Sequence, residues 1–195
     1  MIVLSGALLS ACSFGPIKTN PVSLYAMKID KGLKIPTSSK SKVTLLVNNV
    51  AADPGYQTAN IAYEMLAYNL RYYADHMWVS PPAQMILPII ADAVASKGYF
   101  HAVISAPFSG ETNYRLDTRL IALQQEFIQP SSKVRLIMQA TLVDTALNKV
   151  VATHRFQVVE PSPDNNPYSG VIAANKAAAK VASQIALFVV KHIKP

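Results

Sequence analysis

Residues Tyr114 to Ala122 (YRLDTRLIA) alternate more strictly than any other stretch of the chain. Tyr114, Leu116, Leu120 and Ala122 fall to one side, and Arg115, Asp117 and Arg119 to the other. A two-residue period of this kind marks a strand with one face buried and one face wet, because successive side chains of an extended backbone point in opposite directions. Two more β-rich stretches follow, Val134–Val143 and Val150–Val159, separated by a loop around Asn148 short enough for a hairpin. The second half of the chain is therefore committed to a sheet, mostly antiparallel, that must be covered on one side.

The cover is legible as well. From about Ser169 to Ile193, the apolar residues Val171, Ala174, Ala178, Val181, Ile185 and Phe188 recur at three- and four-residue steps, while Lys176 and Lys180 share the polar side. An alanine-rich face lets such a helix lie close against a sheet. A second helix opens at Pro81-Pro82, where proline is tolerated because the first N–H groups of a helix have no partner in any case. Met85, Ile86, Ile89, Ile90, Ala93 and Val94 form its stripe, and Gly98 ends it. The economical arrangement is an α+β two-layer sandwich, with a mostly antiparallel sheet and two main helices on one face.

The remaining strands are placed by residue type. Ser23 to Lys28 is a candidate first strand, Val43 to Val50 (VTLLVNNV) a clear one, and Tyr99 to Ser105 another. Ala51 to Thr58 is a loop with a Pro-Gly turn. Ile61 to Tyr73 fits a hairpin or a helix; Tyr63, Tyr68, Tyr72 and Tyr73 favour strands. Trp78, the sole tryptophan, is read as core or helix cap, and alternatively as a partner-facing anchor.

The N-terminus narrows the setting. Met1 to Ala11 (MIVLSGALLSA) is uncharged and nearly all apolar or small, and it runs into Cys12, the only cysteine. It is too short to span a bilayer but has the length of a secretory h-region. Leu9-Ser10-Ala11-Cys12 resembles the lipobox of bacterial lipoproteins, where small residues surround the cut and the thiol is the nucleophile that receives a diacylglyceryl group. The basic segment that normally opens a signal is missing, so residues 1–11 are read as an incomplete signal peptide with its start upstream. Residues 12–22, with Gly15, Pro16 and Pro21, form the lipidated tether, and residues 23–195 the single domain. Ser13 after the cysteine, where aspartate would retain a lipoprotein at the inner membrane, favours the outer membrane. Lys31, Lys34, Lys40 and Lys42 stand in a basic loop, solvated or drawn to anionic headgroups.

Chemistry is scarce. Hydrophobic residues make up 51% of the chain and charged residues 15%, so it has the means to build a core and is not intrinsically disordered. His76, His101, His154 and His192 are scattered without metal-ligand spacing, and there is neither a nucleophile elbow nor a glycine-rich phosphate loop. Glu160 and Asp164 lie in a proline-rich connector, 160–167. No catalytic residue, metal or cofactor is expected beyond the covalent lipid on Cys12. The net charge of +7 has no aromatic-basic motif beside it, so nucleic acid is not the expected partner. The row Arg115–Asp117–Arg119 reads as a solvated strand face, or as one that pairs with an acidic partner; with Trp78 it supplies the candidate interface residues.

Taken in order, the lipobox, Tyr72-Tyr73, Trp78 and Pro81, the apolar helix, Tyr114-Arg115-Leu116, Leu142-Val143-Asp144 and Ala173-Ala174-Asn175-Lys176-Ala177 resemble the ABC-type transport auxiliary lipoproteins, the family of paraquat-inducible protein C, over residues 23 to 192. Where that family often has a basic residue before the tryptophan, this chain has Met77. The resemblance implies a non-enzymatic outer-membrane lipoprotein whose partner carries MCE domains, the tunnel-forming units of intermembrane lipid transport, and it marks Cys12 as the anchor. Alternatives are a scaffold lipoprotein of another envelope machine and a carrier with an acyl chain inside the domain. Homo-oligomerisation around a tunnel mouth is compatible with symmetry but is not written in the sequence.

Overall fold

The computed structural model describes residues 21–28 and 41–193. Cys12, the tether up to residue 20, and Lys31, Lys34 and Lys40 lie outside the described residues. The elements run β1 (Ser23–Tyr25), β2 (Thr44–Val47), β3 (Ala51–Ala52), a 3-10 turn (Pro54–Tyr56), β4 (Asn60–Glu64), β5 (Leu70–Trp78), α1 (Pro82–Ala95), β6 (Ala102–Ser105), β7 (Tyr114–Glu126), β8 (Lys133–Asp144), β9 (Lys149–Pro161) and α2 (Pro167–His192). The tyrosine-rich segment resolves into the β4–β5 hairpin. The fold class is α+β, as the periodicities predict.

The thirteen-residue strand β7 is the spine of the sheet. On one side it pairs antiparallel with β8, and β8 with β9, through nearly their whole lengths. Its other side is shared end to end: β2 pairs at Tyr114–Leu116, β3 at Arg119–Leu120 and β4 at Gln124–Glu126, all three in parallel. Two branches leave this side. β2 carries β6 in parallel, while β4 pairs antiparallel with β5, which carries β1 in parallel. The sheet is thus mixed. Strands joined by a short loop, β4–β5, β7–β8 and β8–β9, pair antiparallel; the remaining pairings are short and parallel, because the connections between those strands are long enough to return the chain to the same end.

A bulge interrupts β7. Leu120 faces Met138 and Ala122 faces Ile137, which leaves Ile121 as the extra residue. Because side-chain direction has a period of two, one extra residue exchanges the faces of everything after it. Before the bulge Leu116, Thr118 and Leu120 look toward the helices; after it Leu123 and Gln125 do. Ala122, grouped with Leu120 by simple alternation, lies on the opposite face beside Ile137.

The core fills the space between sheet and helices. Ile86, Ile90 and Val94 from α1 meet Ala174, Ala178, Val181 and Ile185 from α2 over Leu116, Leu120, Leu136, Met138 and Leu142 of the sheet, all buried. Each large aliphatic side chain buried there contributes about 1.5–3 kcal/mol. The helix ends follow the sequence. Asn166 caps α2 by accepting from the Ser169 N–H at 2.8 Å, with Pro167 at the first turn and Lys191 and His192 in the last. After α1, Gly98 takes φ 61°, a left-handed conformation that glycine adopts without steric cost.

Candidate functional site on the outer sheet face

With the helices on one side of the sheet, the other side of β7–β9 carries the polar set. Register places Arg115 beside Val143, Asp117 beside Thr141 and Thr153, and Arg119 beside Gln139 and Arg155. The three residues singled out by alternation are therefore neighbours on one partly exposed face. Arg115 Nε donates to both Asp117 carboxylate oxygens at 3.0 Å, and Asn48 Nδ2 donates to the same carboxylate at 2.8 Å. Arg119 Nε donates to Asp53 Oδ1 at 2.5 Å, tying the spine to the loop after β3. Between β8 and β9, Thr153 Oγ1 donates to Thr141 Oγ1 at 3.1 Å.

Toward the Glu126 end of β7 the face becomes firmer. Glu126 is buried and receives two bonds from Arg135, Nε at 2.5 Å and Nη2 at 3.0 Å, with Lys133 Nζ 3.9 Å away. The hydrogen bond from Arg135 to Glu126 raises the guanidinium pKa above its ordinary value. Tyr56 from the 3-10 turn donates to Gln124. Burial, followed by the Glu64 charge, pushes its phenol up to about 12.

Two open grooves flank the sheet. One, of about 940 Å³, begins at Arg115 and is lined also by Leu46, Glu111, Asn113, Tyr114 and Asp144. The other, of about 500 Å³, lies between β1 and α2 and is lined by Leu24, Tyr25, Lys28, Tyr168, Val171 and Lys176. Beside the second groove, Tyr25 stacks on His76 with ring centroids 5.8 Å apart, and its hydroxyl lies 2.9 Å from His76 Nδ1. Among the described residues, no three histidine, cysteine or acidic side chains are placed to hold a metal ion, and no helix is long and apolar enough to cross a membrane. The outer sheet face is thus a partly exposed, charged and hydrogen-bonding surface.

A family model described as ABC-type transport auxiliary lipoprotein component matches residues 27–186. The chain belongs to that family. Among solved structures, a Xanthomonas campestris protein of the DUF330 family superposes with a TM-score of 0.78 at 19% identity, covering 88% of this chain and 96% of that one. An uncharacterized protein gives 0.69 at 13% identity, over 87% and 99%. A hypothetical protein from Chlamydia trachomatis gives 0.51 at 6% identity, over 77% and 99%. These likenesses show a shared fold. A comparison with curated proteins found no match.

In this auxiliary lipoprotein Trp78 is buried, as the core reading of the sole tryptophan expects. It ends β5, is 3% exposed, and its N–H donates to Ala59 O at 2.7 Å. The indole is enclosed, and it is the backbone N–H, bonded to Ala59 O, that locks β5 to the loop before β4. The tyrosines divide as their positions on the hairpin dictate. Tyr63 and Tyr73 stack at 4.5 Å, whereas Tyr68 and Tyr72 are exposed. Burial, and then the neighbouring Tyr63, raise the Tyr73 pKa well above the usual phenol range.

The auxiliary lipoprotein also holds a buried polar cluster that periodicity does not reveal. Gln125 faces the helix side after the bulge. Its Nε2 donates to Ser132 Oγ at 3.0 Å and Asn166 O at 3.1 Å, while its Oε1 accepts from the Tyr73 hydroxyl at 3.1 Å. Asn165 Oδ1 accepts from the Ser132 N–H at 2.7 Å. The 160–167 connector is thereby pinned to the β7–β8 turn and to the start of α2. The sequence signal is the polar run Gln124-Gln125-Glu126 that closes β7, beyond the point where the alternation stops.

Proposed function

We propose that this chain is a non-enzymatic auxiliary lipoprotein of an ABC-type intermembrane lipid transport system. It is held at the periplasmic face of the outer membrane through a lipid on Cys12 and docks the end of an MCE-domain tunnel. The family match over residues 27–186, following a lipobox, carries this reading. The docking surface is the outer face of β7–β9, where Arg155 stands beside the Arg115–Asp117 and Arg119–Asp53 ion pairs and would meet an acidic partner patch. The lipid-carrier alternative is disfavoured, because aliphatic side chains already fill the space between sheet and helices.

The test is a crosslinking pull-down of the lipidated protein from native membranes, with Cys12→Ala as the control for anchoring. Recovery of an MCE-domain protein, lost in the control, is the expected result. Recovery of secretion or cell-wall machinery in its place would overturn the transport reading and leave the lipoprotein reading standing.

A further inference from the structure

The tip of the β4–β5 hairpin is made of side chains that a solvated turn does not need. Met65 and Leu66 are exposed, Leu66 at 67%, and Tyr68 is fully exposed. Tyr68 also takes φ 66°, a left-handed conformation that costs a non-glycine residue energy and that asparagine or glycine would adopt more readily. The turn itself is closed in the ordinary way, with the Asn69 N–H donating to Leu66 O at 3.1 Å. Ile128, also exposed, joins the tip from the β7–β8 turn. The parallel register of Glu64 with Glu126 and the Phe127 N–H bond to Glu64 O at 2.8 Å bring the two turns to the same end. Four exposed apolar side chains therefore crown one end of the sheet, with the exposed Arg71 beside them.

Residues 21 and 22 lead into β1 from that same end. β1 runs parallel to β5 with Ser23 opposite His76, so the chain before Ser23 is aimed along β5 toward Leu70. β5 bulges between Tyr72 and Met77, so His76 lies within roughly 20 Å of Leu70. Residues 12–22 reach at most about 40 Å, so a lipid-bearing Cys12 can lie in the plane of the tip. An apolar crown with an aromatic at its apex, a cation beside it and a lipid anchor within reach matches the chemistry of a bilayer interface, where tyrosine and arginine sit at the headgroup level and aliphatic chains dip below.

We propose that Met65, Leu66, Tyr68 and Ile128 form a second membrane contact, a wedge that enters the lipid interface and sets the orientation of the domain. This rests on the reading of Cys12 as the lipidated residue. The wedge points the Leu66 end at the bilayer and the opposite end, with the β8–β9 turn at Leu147, away from it.

The lipidated full chain supplies its own test, because a thioether-linked Cys12 leaves no free thiol. Leu66→Cys and Tyr68→Cys, and Leu147→Cys as the distal control, are labelled with an environment-sensitive fluorophore. They are then reconstituted in 3:1 phosphatidylethanolamine:phosphatidylglycerol vesicles containing lipids brominated high on the acyl chain. The expected result is a blue-shifted emission and at least twofold quenching at both tip positions, with neither at Leu147. Tip labels that stay water-like while wild type takes no label would overturn the wedge and leave the anchor standing. Uptake of label by wild type would overturn both readings. A blue shift without bromolipid quenching would assign the tip to a protein partner or a second copy and overturn the bilayer assignment.

Discussion

Gly170 in the first turn of α2 packs directly on the side chain of Gln125: a β-carbon placed there would lie 2.2 Å from Oε1. Side-chain ends usually give way to such an intrusion. This one is held by Tyr73 at 3.1 Å, Ser132 at 3.0 Å and the Asn166 carbonyl at 3.1 Å, so moving it breaks buried hydrogen bonds. Alanine is the better helix former by about 1 kcal/mol, yet each buried polar group left unpaired costs about 1–3 kcal/mol. Gly170→Ala is therefore expected to lower stability by about 1–3 kcal/mol in urea unfolding. Adding Gln125→Ala should make the pair less than additive, since the clash then disappears.

The Glu126–Arg135 pair gives an asymmetric expectation. Glu126 has a side chain 5% exposed and Arg135 one 28% exposed, so an orphaned Glu126 is the costlier outcome. Arg135→Met is expected to cost about 2 kcal/mol, below the 3–5 typical of a fully buried pair because Lys133 and water remain within reach. Glu126→Gln should cost less. Reversal of this order in equilibrium unfolding would remove the pair from the set of stabilising contacts.

Alkaline pH acts through the buried phenols of Tyr73 and Tyr56, and Tyr56 gives the cleaner test. Its folded-state pKa, about 12, lies above the unfolded value near 10, so its contribution is complete below pH 10 and is lost as pH rises toward 12. Melting temperature should fall across that window. Tyr56→Phe, which starts lower for want of the bond to Gln124, should fall less steeply.

On the outer face, Arg115→Ala with Arg119→Ala removes two exposed ion pairs, each worth no more than about 1 kcal/mol to the fold. Stability should hardly change. If this face docks a transport partner, crosslinked recovery of that partner should drop about tenfold, with stronger salt sensitivity in the wild type than in the variant.

Trp78 bears on the core instead. Trp78→Ala is expected to cost about 3–5 kcal/mol, and the wild-type emission should be blue-shifted and shielded from iodide. A quenchable indole would return this residue to the surface.

What the sequence disclosed and what it concealed divide along physical lines. The β7–β8–β9 meander and both helices follow from local periodicity, because their partners are near in sequence and their faces keep one environment throughout. Ala122 and Gln125 were misplaced or missed because the extra residue Ile121 exchanges faces partway along β7, and a bulge has no compositional mark here. The parallel placement of β2, β3 and β4 along one spine depends on contacts between residues some 60 to 70 positions apart, which alternation cannot encode. Trp78 illustrates a different limit: residue type alone does not separate a core indole from an interface one. Arg115, Asp117 and Arg119 lie on the partly exposed face that alternation assigns them, because charges on such a strand favour the side that meets water.

The short edge strand β1 has a mechanical consequence. A pull on the chain through residues 21 and 22 runs along the strand axis, and its parallel neighbour β5 resists it through the Ser23, Leu24 and Tyr25 pairings together. Force in that direction shears these bonds simultaneously, whereas a pull across the sheet would peel them one at a time. If Cys12 carries the anchor and the domain binds a transport partner, a pull between the two loads the domain along its strong axis. The strain passes from β1 into β5 and, through Trp78 at its end, into the packed interior.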